Sequence, residues 1–258
     1  MGCYPFFSCL DWSSLAADLD DLPEDVIALV LVADPLGELG PESLRDCFKD
    51  LVRPFKEHFV VDLRRDPQEF VSASHRRQAR KALCTVSVER CAYPQQHRAE
   101  WLHLYETLCT RHEIRGMRAF SPQAFAAQLA VPGLVMFRAT HEEATVGITL
   151  WYQHGNVGVY HLGAYSTPGY ELHASYGLFW FAITHFAREG LGWLNLGGGP
   201  GASTQADDGL VRFKRGWATG SRTAYLCGRV VDGRTYDLIT RGKQDTNYFP
   251  AYRHGEFS

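Results

Sequence analysis

The feature that most constrains the fold is a long apolar segment between two strand-like segments. SYGLFWFAITHFAREG (residues 175–190) repeats apolar side chains at the three- and four-residue spacing of a core-facing helix. Such a helix is buried on most sides, and Gly190 stands where a left-handed residue ends it. YHLGAYS (160–166) precedes it and WLNLGGG (193–199) follows. The stretch predicts a strand–helix–strand unit in a mixed sheet.

The segments before this unit predict further elements. Strands are predicted over 26–33, 58–63 and 85–91, and helices over 41–51, 72–83, 93–112 and 121–129, with Ser74 and Ser121 as N-caps. Three strands over 134–139, 145–152 and 157–164, separated by turn residues, predict an antiparallel meander. Beyond the unit, 222–230 predicts a strand and 232–241 a short helix or turn.

These patterns predict an α/β chain in which helices flank a mixed, partly antiparallel sheet. Its 258 residues suffice for one large domain or two smaller ones. Residues 1–70 predict a smaller N-terminal α/β lobe, and residues 71–258 predict the main domain.

Charge and cysteine content exclude several classes of protein. A net charge of -3 argues against a protein that coats nucleic acid or an anionic membrane. Seven cysteines without paired spacing do not predict a disulfide framework, and no Cys/His cluster has zinc spacing, so no metal is expected. The longest apolar run, residues 26–33, is too short to span a membrane. We expect a cytoplasmic protein.

The glycine turn GGGPGA (residues 197–202) fits the pattern G-x-G-x-x-A directly after a strand. A dinucleotide site would need a helix to begin there, because the helix N-terminus holds the pyrophosphate. Polar, loop-like residues follow instead. The sequence therefore favours a flexible turn over a nucleotide site.

A dense basic helix is the first candidate binding element. Arg76, Arg77, Arg80 and Lys81 lie within six residues and have no acidic neighbour among them. Such a face holds phosphates of a cofactor or of RNA, or it is simply a solvated helix face. The sequence leaves both interpretations open.

Three other residues are candidates for chemistry. Lys214 in RFKRGW follows the glycine turn and predicts a charge that neutralises a phosphate or a developing oxyanion. His161 and Glu171 flank the loop before the apolar helix and are candidate acid/base groups. A single histidine on a strand is more often a satisfied core residue, so that alternative stays open for His161.

Taken together, the motifs resemble the GNAT-type acyltransferase fold, in the version shared with the Fem-type peptidoglycan-bridge aminoacyltransferases. SHRRQARKAL (74–83) resembles the basic helix before the acyltransferase domain of that group, and ATVGITLWY (144–152) resembles its core hairpin. YHLGAYS with the apolar helix resembles the core strand and helix, and WLNLGGG…LVRFKRGW resembles the closing motif. The resemblance covers about residues 70–225.

The resemblance implies an activated acyl donor, held where two neighbouring strands splay. In GNAT enzymes, the pyrophosphate of acyl-CoA meets backbone N–H groups at the start of the core helix. Here that segment holds Tyr170, Ser175, Tyr176 and Gly177, without the GNAT Arg/Gln-x-x-Gly-x-Gly/Ala pattern and with Glu171 beside it. The Fem-type branch takes aminoacyl-tRNA, which the acidic net charge disfavours. Arg76, Arg77 and Arg80 are the candidate phosphate ligands, and acyl-CoA is the expected donor.

The predicted function is transfer of an acyl or aminoacyl group from acyl-CoA or aminoacyl-tRNA to a small-molecule or peptide amine. The alternative is a GNAT-like fold that has lost chemistry and serves as a binding or scaffold protein. A third possibility is an RNA-binding module built on the basic helix. The acceptor and the oligomeric state stay open.

Overall fold

The computed structural model describes residues 6–23, 25–116, 119–199, 209–243 and 247–255. The helices are α1 (Leu15–Asp20), α2 (Pro41–Cys47), α3 (Pro67–Phe70), α4 (Ala73–Leu83), α5 (Arg98–Arg111), α6 (Pro122–Gln128), α7 (Thr167–Glu171), α8 (Ala174–Arg188), α9 (Gly209–Arg215) and α10 (Gly233–Ile239). The strands are β1 (Ala28–Val32), β2 (Leu51–Asp62), β3 (Ser87–Cys91), β4 (Leu134–His141), β5 (Ala144–His154), β6 (Val157–Tyr165), β7 (Trp193–Gly197) and β8 (Gly220–Val230). Short 3-10 helices cover Pro94–His97 and Ala251–Arg253.

The chain divides into two compact units. The terminal unit contains residues 1–58, 199–204 and 222–258, and the central unit contains residues 59–198 and 205–221. The division into lobes 1–70 and 71–258 that the sequence suggests stays a prediction.

The central unit contains a mixed sheet. Its strands follow the order β7-β6-β5-β4-β3, and residues 59–62 at the end of β2 pair with β7 on the outside. The β6–β7 pair is parallel, as the strand–helix–strand pattern predicted, and the other pairs are antiparallel. The meander of β4, β5 and β6 is therefore confirmed, and so is the predicted fold class.

Helices cover both faces of this sheet. On one face, α8 buries Leu178, Phe179, Ile183 and Phe186 among a cluster that extends to α4. Complete burial of each such side chain stabilises the fold by about 1.5–3 kcal/mol. On the other face, α5 and α6 pack against β4 and β5 through a second cluster that includes Trp101. The apolar helix predicted from the sequence is thus the main support of one face.

Two glycines mark features of α8, one beyond its end and one within it. Gly190 adopts φ +81°, which confirms it as the left-handed residue beyond the helix. Gly177 lies against α4, where an added Cβ would be 3.4 Å from Leu83 Cδ2 and 3.6 Å from Ala82 Cβ. These are ordinary van der Waals distances, so Gly177 marks where α8 packs against α4.

The terminal unit has its own small core. Strand β1 pairs antiparallel with β8, from Ala28 opposite Val230 to Val32 opposite Leu226. Helices α1 and α2 pack with these strands around a buried cluster: Trp12, Leu15, Leu19, Leu31, Ala33, Leu44, Cys47, Phe48 and Cys227.

Some local predictions were wrong. Helix α4 is capped by Ser72, whose Oγ accepts from the His75 N–H, and not by Ser74. The loop expected after β6 contains α7, because Ser166 caps it and Pro168 stands in its first turn. Strand β2 begins at Leu51, before the expected residue 58.

Candidate active site at the end of the parallel strand pair

Strands β6 and β7 diverge after a short parallel ladder. The ladder pairs Val157 with Trp193 and Val159 with Asn195, whereas β6 continues to Tyr165. In the described part of the chain, no later residue of β6 pairs with β7.

A β-bulge lies at the start of this divergence. Trp151 of β5 pairs with Tyr160, but the neighbouring Leu150 pairs with Leu162, so His161 is the extra residue. A bulge bends its strand and changes the direction in which the following side chains point. It brings both Tyr160 and Tyr165 to the α8 face, although they are five positions apart.

Two phenol groups meet above Gly163. A Cβ at Gly163 would lie 2.6 Å from the Tyr160 hydroxyl and 2.8 Å from the Tyr165 hydroxyl, so only glycine leaves room for both. The two hydroxyls are therefore close neighbours above this one glycine. Burial raises the pKa of both phenols, and they therefore stay protonated and able to donate hydrogen bonds.

A third tyrosine extends this pair toward solvent. The Tyr170 ring of α7 packs edge-on against Tyr165, with 5.5 Å between the ring centroids. The Arg111 guanidinium lies 4.2 Å from the centroid of Tyr170. Burial raises the pKa of Tyr170, an effect that the positive charge of Arg111 opposes. Tyr160, Tyr165 and Tyr170 are called the tyrosine row below.

Lys214 lies at the inner end of the tyrosine row. Its side chain is buried, its Nζ donates to the Gly198 carbonyl at 2.7 Å, and Nζ is 5.6 Å from the centroid of the Tyr160 ring. The turn that presents this carbonyl is held by buried Asn195, whose Oδ1 accepts from the Gly197 N–H at 2.9 Å. Gly197 adopts φ +73°, a conformation that glycine tolerates best. The site therefore combines a buried ammonium group with protonated phenols.

The predicted glycine turn lies only partly within the described residues. Gly197 to Gly199 are described, and residues 200–202 of GGGPGA lie outside them. Its described part holds Lys214 through a carbonyl group.

The structure does not bring His161 together with Lys214. His161 Nε2 lies 2.9 Å from Gln128 Oε1 of α6, and its ring contacts Phe120 and Tyr152. These contacts place the imidazole on the α6 side of the sheet. Burial lowers the pKa of His161 to about 4, so it is neutral at pH 7.

The segment expected to bind a pyrophosphate uses several of its backbone donors internally. The N–H of Gly169 donates to Ser166 Oγ, that of Leu172 to Pro168 O and that of His173 to Tyr170 O. The Tyr176 N–H, in the first turn of α8, donates to His173 O. Anion binding at a helix start requires such groups to be available. These four N–H groups are therefore not available to the pyrophosphate of acyl-CoA.

The other residues predicted for this segment have varied surroundings. Glu171 ends α7 with an exposed side chain, and Ser175 is half-buried in the first turn of α8. The Tyr176 ring packs against His75, Phe213 and Trp217. Of the predicted donor-loop residues, Tyr170 is the one that joins the tyrosine row.

The basic helix divides into two parts. Arg76 is half-buried, and its guanidinium donates to Val71 O at 2.7 Å and to Gln68 O, which stabilises the turn before α4. Arg77, Arg80 and Lys81 are exposed and follow the spacing of one helix face. An exposed basic face is thus present, and it lacks Arg76.

Sequence reasoning missed four contributors: Gly163, Arg111, Asn195 and His75. Two of them left a signal. Gly163 stands between two tyrosines in YHLGAYS, and Asn195 is a polar residue within the apolar strand WLNLG. Arg111 and His75 left none, because their partners are distant in the sequence.

Two further observations concern metal ions and membrane-spanning helices. Among the described residues, no three His, Cys, Asp or Glu side chains are grouped so that they could hold a metal ion. In the same part of the chain, each helix is too short or too polar to cross a membrane.

Comparisons with known proteins identify the fold. The chain resembles the structure of FemX, with 12% identity, a TM-score of 0.67, and coverage of 84% of this chain and 75% of that one. It also resembles L-PGS from Bacillus licheniformis, with 14% identity, a TM-score of 0.52, and coverage of 83% and 84%. A domain of an Agrobacterium fabrum protein assigned as a lysylphosphatidylglycerol synthetase shows 18% identity, a TM-score of 0.57, and coverage of 78% and 68%.

At these identities the structural likenesses concern the fold. A search among curated proteins found no match. The model of the acetyltransferase (GNAT) domain matches residues 40–215, which is more than half of the chain. The resemblance predicted from the motifs is confirmed, and the chain belongs to the acetyltransferase (GNAT) domain family of acyl-group transferases.

Proposed function

We propose that the central unit transfers an aminoacyl group from an activated ester to an amine acceptor, where β6 and β7 diverge. The observation that carries this proposal is the burial of Lys214. Its ammonium group lies beside the Tyr160 ring and bonds to Gly198, the residue after β7. A buried ammonium group is costly unless nearby groups stabilise it, and such costs concentrate at functional sites.

The chemistry requires stabilisation of negative charge. The uncharged amine attacks the carbonyl carbon, a C–N bond forms, and the carbonyl electrons move onto oxygen. The oxyanion then collapses, the bond to the donor oxygen breaks, and the former amine loses a proton. We assign stabilisation of the oxyanion to Lys214 and hydrogen bonding to the leaving oxygen to Tyr160 and Tyr165. Such donors act strongly in a water-poor site.

For the proton released by the amine, we retain Glu171 of the two predicted acceptors. Its carboxylate is exposed at the end of α7, directly after Tyr170. His161 is the weaker candidate, because its imidazole contacts α6 and Phe120 on the other side of the sheet.

An aminoacyl ester of tRNA is the donor that we favour over acyl-CoA. The internal hydrogen bonds of residues 166–176 oppose a pyrophosphate at the start of α8. The exposed face formed by Arg77, Arg80 and Lys81 offers phosphate contacts without ion pairs to other described side chains. The fold shared with FemX and with L-PGS fits this choice. Such a donor implies a cytoplasmic protein.

The acceptor is proposed to be a small-molecule or peptide amine that also carries an anionic group. Arg111 lies over Tyr170 at the outer end of the tyrosine row, and its side chain is exposed. A guanidinium binds carboxylate or phosphate through paired hydrogen bonds. We propose that it orients the acceptor while the amine reaches toward Lys214.

Thermal unfolding against a donor panel tests the proposal. The panel contains deacylated tRNA, free CoA, acetyl-CoA and longer acyl-CoAs. A ligand at about 100 times its Kd stabilises the folded state by about 2.7 kcal/mol, which gives a clear shift in Tm. We expect tRNA to raise the Tm and the CoA compounds to leave it unchanged.

Variants sharpen this test. Replacing Arg77 and Arg80 together by alanine should weaken the tRNA shift and its dependence on salt. A shift with acyl-CoA would overturn the choice of donor. If no ligand shifts the Tm, the scaffold interpretation replaces the enzyme. A tRNA shift without transfer of an aminoacyl group would favour the RNA-binding module.

A further inference from the structure

The turn that follows α9 is attached to the start of α4 by two hydrogen bonds. The Ser72 N–H donates to Gly216 O at 2.9 Å, and His75 Nε2 lies 3.0 Å from Phe213 O. A carbonyl oxygen can only accept, so the proton of the imidazole must be on Nε2. Lys214 stands between the two carbonyl groups in the sequence.

The second nitrogen of His75 is also satisfied. His75 Nδ1 lies 2.8 Å from Ser72 Oγ, and with the proton on Nε2 it accepts from that hydroxyl. Burial lowers the pKa of His75, which favours this neutral form. The ring is therefore held in one tautomer and one orientation.

Packing leaves the His75 ring little freedom. Its centroid lies 5.1 Å from that of Tyr176 and 4.9 Å from that of Trp217, both in edge-on contact. A Cβ at Gly216 would overlap the imidazole. The glycine of RFKRGW is thus the residue that admits the His75 ring.

The hydrogen bond of His75 gives a partner to a carbonyl group in the last turn of α9. The final carbonyl groups of a helix lack intrahelical partners. In the last turn of α9, Arg212 O accepts from the Gly216 N–H, and Lys214 O accepts from the Trp217 N–H. Phe213 O lies between them and accepts from His75. The His75 side chain therefore fixes the peptide group between Phe213 and Lys214.

We infer that His75 is a positioning residue, which holds the last turn of α9 so that the Lys214 ammonium stays directed at Gly198 and the tyrosine row. This role rests on the proposed function, in which Lys214 stabilises the oxyanion. It gives the first residues of the basic helix a task that differs from phosphate binding.

The test compares two variants of His75. His75→Gln keeps an N–H donor for Phe213 O, and His75→Phe keeps a ring but removes the donor. Trace acetylation with acetic anhydride, followed by peptide mass spectrometry, measures the reactivity of each lysine without any donor or acceptor. Lys49, which is exposed in the terminal unit, serves as internal reference.

We expect Lys214 to react several-fold faster in His75→Phe than in the natural protein, while Lys49 is unchanged and His75→Gln resembles the natural protein. In a transfer assay, His75→Phe should lower kcat by about 10–100-fold with little change in KM, since small misplacements of a reacting group have such effects. Unchanged Lys214 reactivity in a folded His75→Phe variant would overturn the inference. Because acetylation requires no turnover, failure of the proposed function would leave this result unaffected.

A measurement on the natural protein covers the case in which His75→Phe does not fold. Nitrogen-15 NMR of histidine-labelled protein distinguishes the two neutral tautomers. A neutral His75 with its proton on Nε2 at pH 7 is expected. A proton on Nδ1, or a charged ring, would overturn the inference.

Discussion

The end of β7 and the start of α8 are the two places where the resemblance predicted chemistry, and they differ in how their polar groups are used. At the end of β7, Asn195 and Gly197 shape a turn whose next carbonyl holds buried Lys214. At the start of α8, the N–H groups of Leu172, His173 and Tyr176 are used internally. One region therefore combines a shaped turn with a buried lysine, and the other uses several of its N–H groups within its own segment.

This difference separates two tasks that a GNAT fold usually combines. In the proposed function, stabilisation of charge at the acyl carbon falls to the groups where the strands diverge. Recognition of a pyrophosphate requires free N–H groups, and here those of Leu172, His173 and Tyr176 are already bonded. The comparison predicts that substitutions at the end of β7 have large effects on transfer and stability, and that substitutions at the start of α8 have small ones.

The largest effect is expected from Lys214→Met, which keeps the side chain up to its fourth atom and removes the charged nitrogen. Loss of one oxyanion-stabilising group lowers the rate by about 10²–10³-fold. The measurement is transfer to hydroxylamine, a surrogate amine, from the donor that stabilises the protein. Lys49→Met is the matched control, and equal rates for both variants would contradict the role of Lys214.

The second effect is a pH dependence of the free energy of unfolding that arises from His161, on the α6 side of the sheet. The pKa of His161 is lowered to about 4 from 6.5. Between pH 4 and pH 6.5, the unfolded chain binds a proton at His161 and the folded chain does not. The contribution of neutral His161 to the free energy of unfolding is therefore complete above pH 6.5 and is lost as the pH falls toward 4. The loss amounts to about 3 kcal/mol.

Urea unfolding at pH 7 and at about pH 4.5 checks this value. His161→Gln should show a weaker dependence on pH than the natural protein. The lowered pKa values of His75 and His185 act in the same direction and remain in the variant. Identical pH dependence with and without His161 would contradict the assignment.

The third effect is expected from Gly163→Ala. The added Cβ would meet two phenol oxygens at 2.6 and 2.8 Å, so the tyrosine row must move. Overpacking of this kind typically costs about 1–3 kcal/mol. Unfolding by urea measures the cost, and Gly220→Ala, where an added Cβ has no atom within 4 Å, is the control. Equal stability of the two variants would show that Tyr160 and Tyr165 are loosely held.

The smallest effect is expected from Ser175→Ala at the start of α8. A half-buried side chain without a described hydrogen bond contributes within about 0.5 kcal/mol. The donor-induced shift in Tm should therefore equal that of the natural protein. A shift that disappears in this variant would restore the start of α8 as the donor site.

Local patterns predicted most of the fold. The periodicity of α8, the left-handed Gly190 and the turns of the meander depend on near neighbours, so the sequence alone displays them. The short helix α7 was missed although Ser166 and Pro168 form a readable start signal. That miss affected function, because the segment was taken for an open loop.

The site itself depends on contacts between distant residues. His75 and Phe213 are 138 positions apart, and no local pattern connects them. The bulge at His161 changes which side chains share a face, and simple alternation along β6 cannot reveal it. Lys214 was a candidate from its motif alone, but its burial and its acceptor Gly198 required the structure.

Hydrogen–deuterium exchange with and without the bound donor tests the central claim most directly. It reports where backbone groups become protected, and it requires neither an acceptor nor turnover. Deacylated tRNA is the first ligand to use. We predict protection over residues 160–165 and at Gly197 and Gly198, with unchanged exchange over 167–177. Protection confined to residues 167–177 would contradict the claim that the donor binds where β6 and β7 diverge.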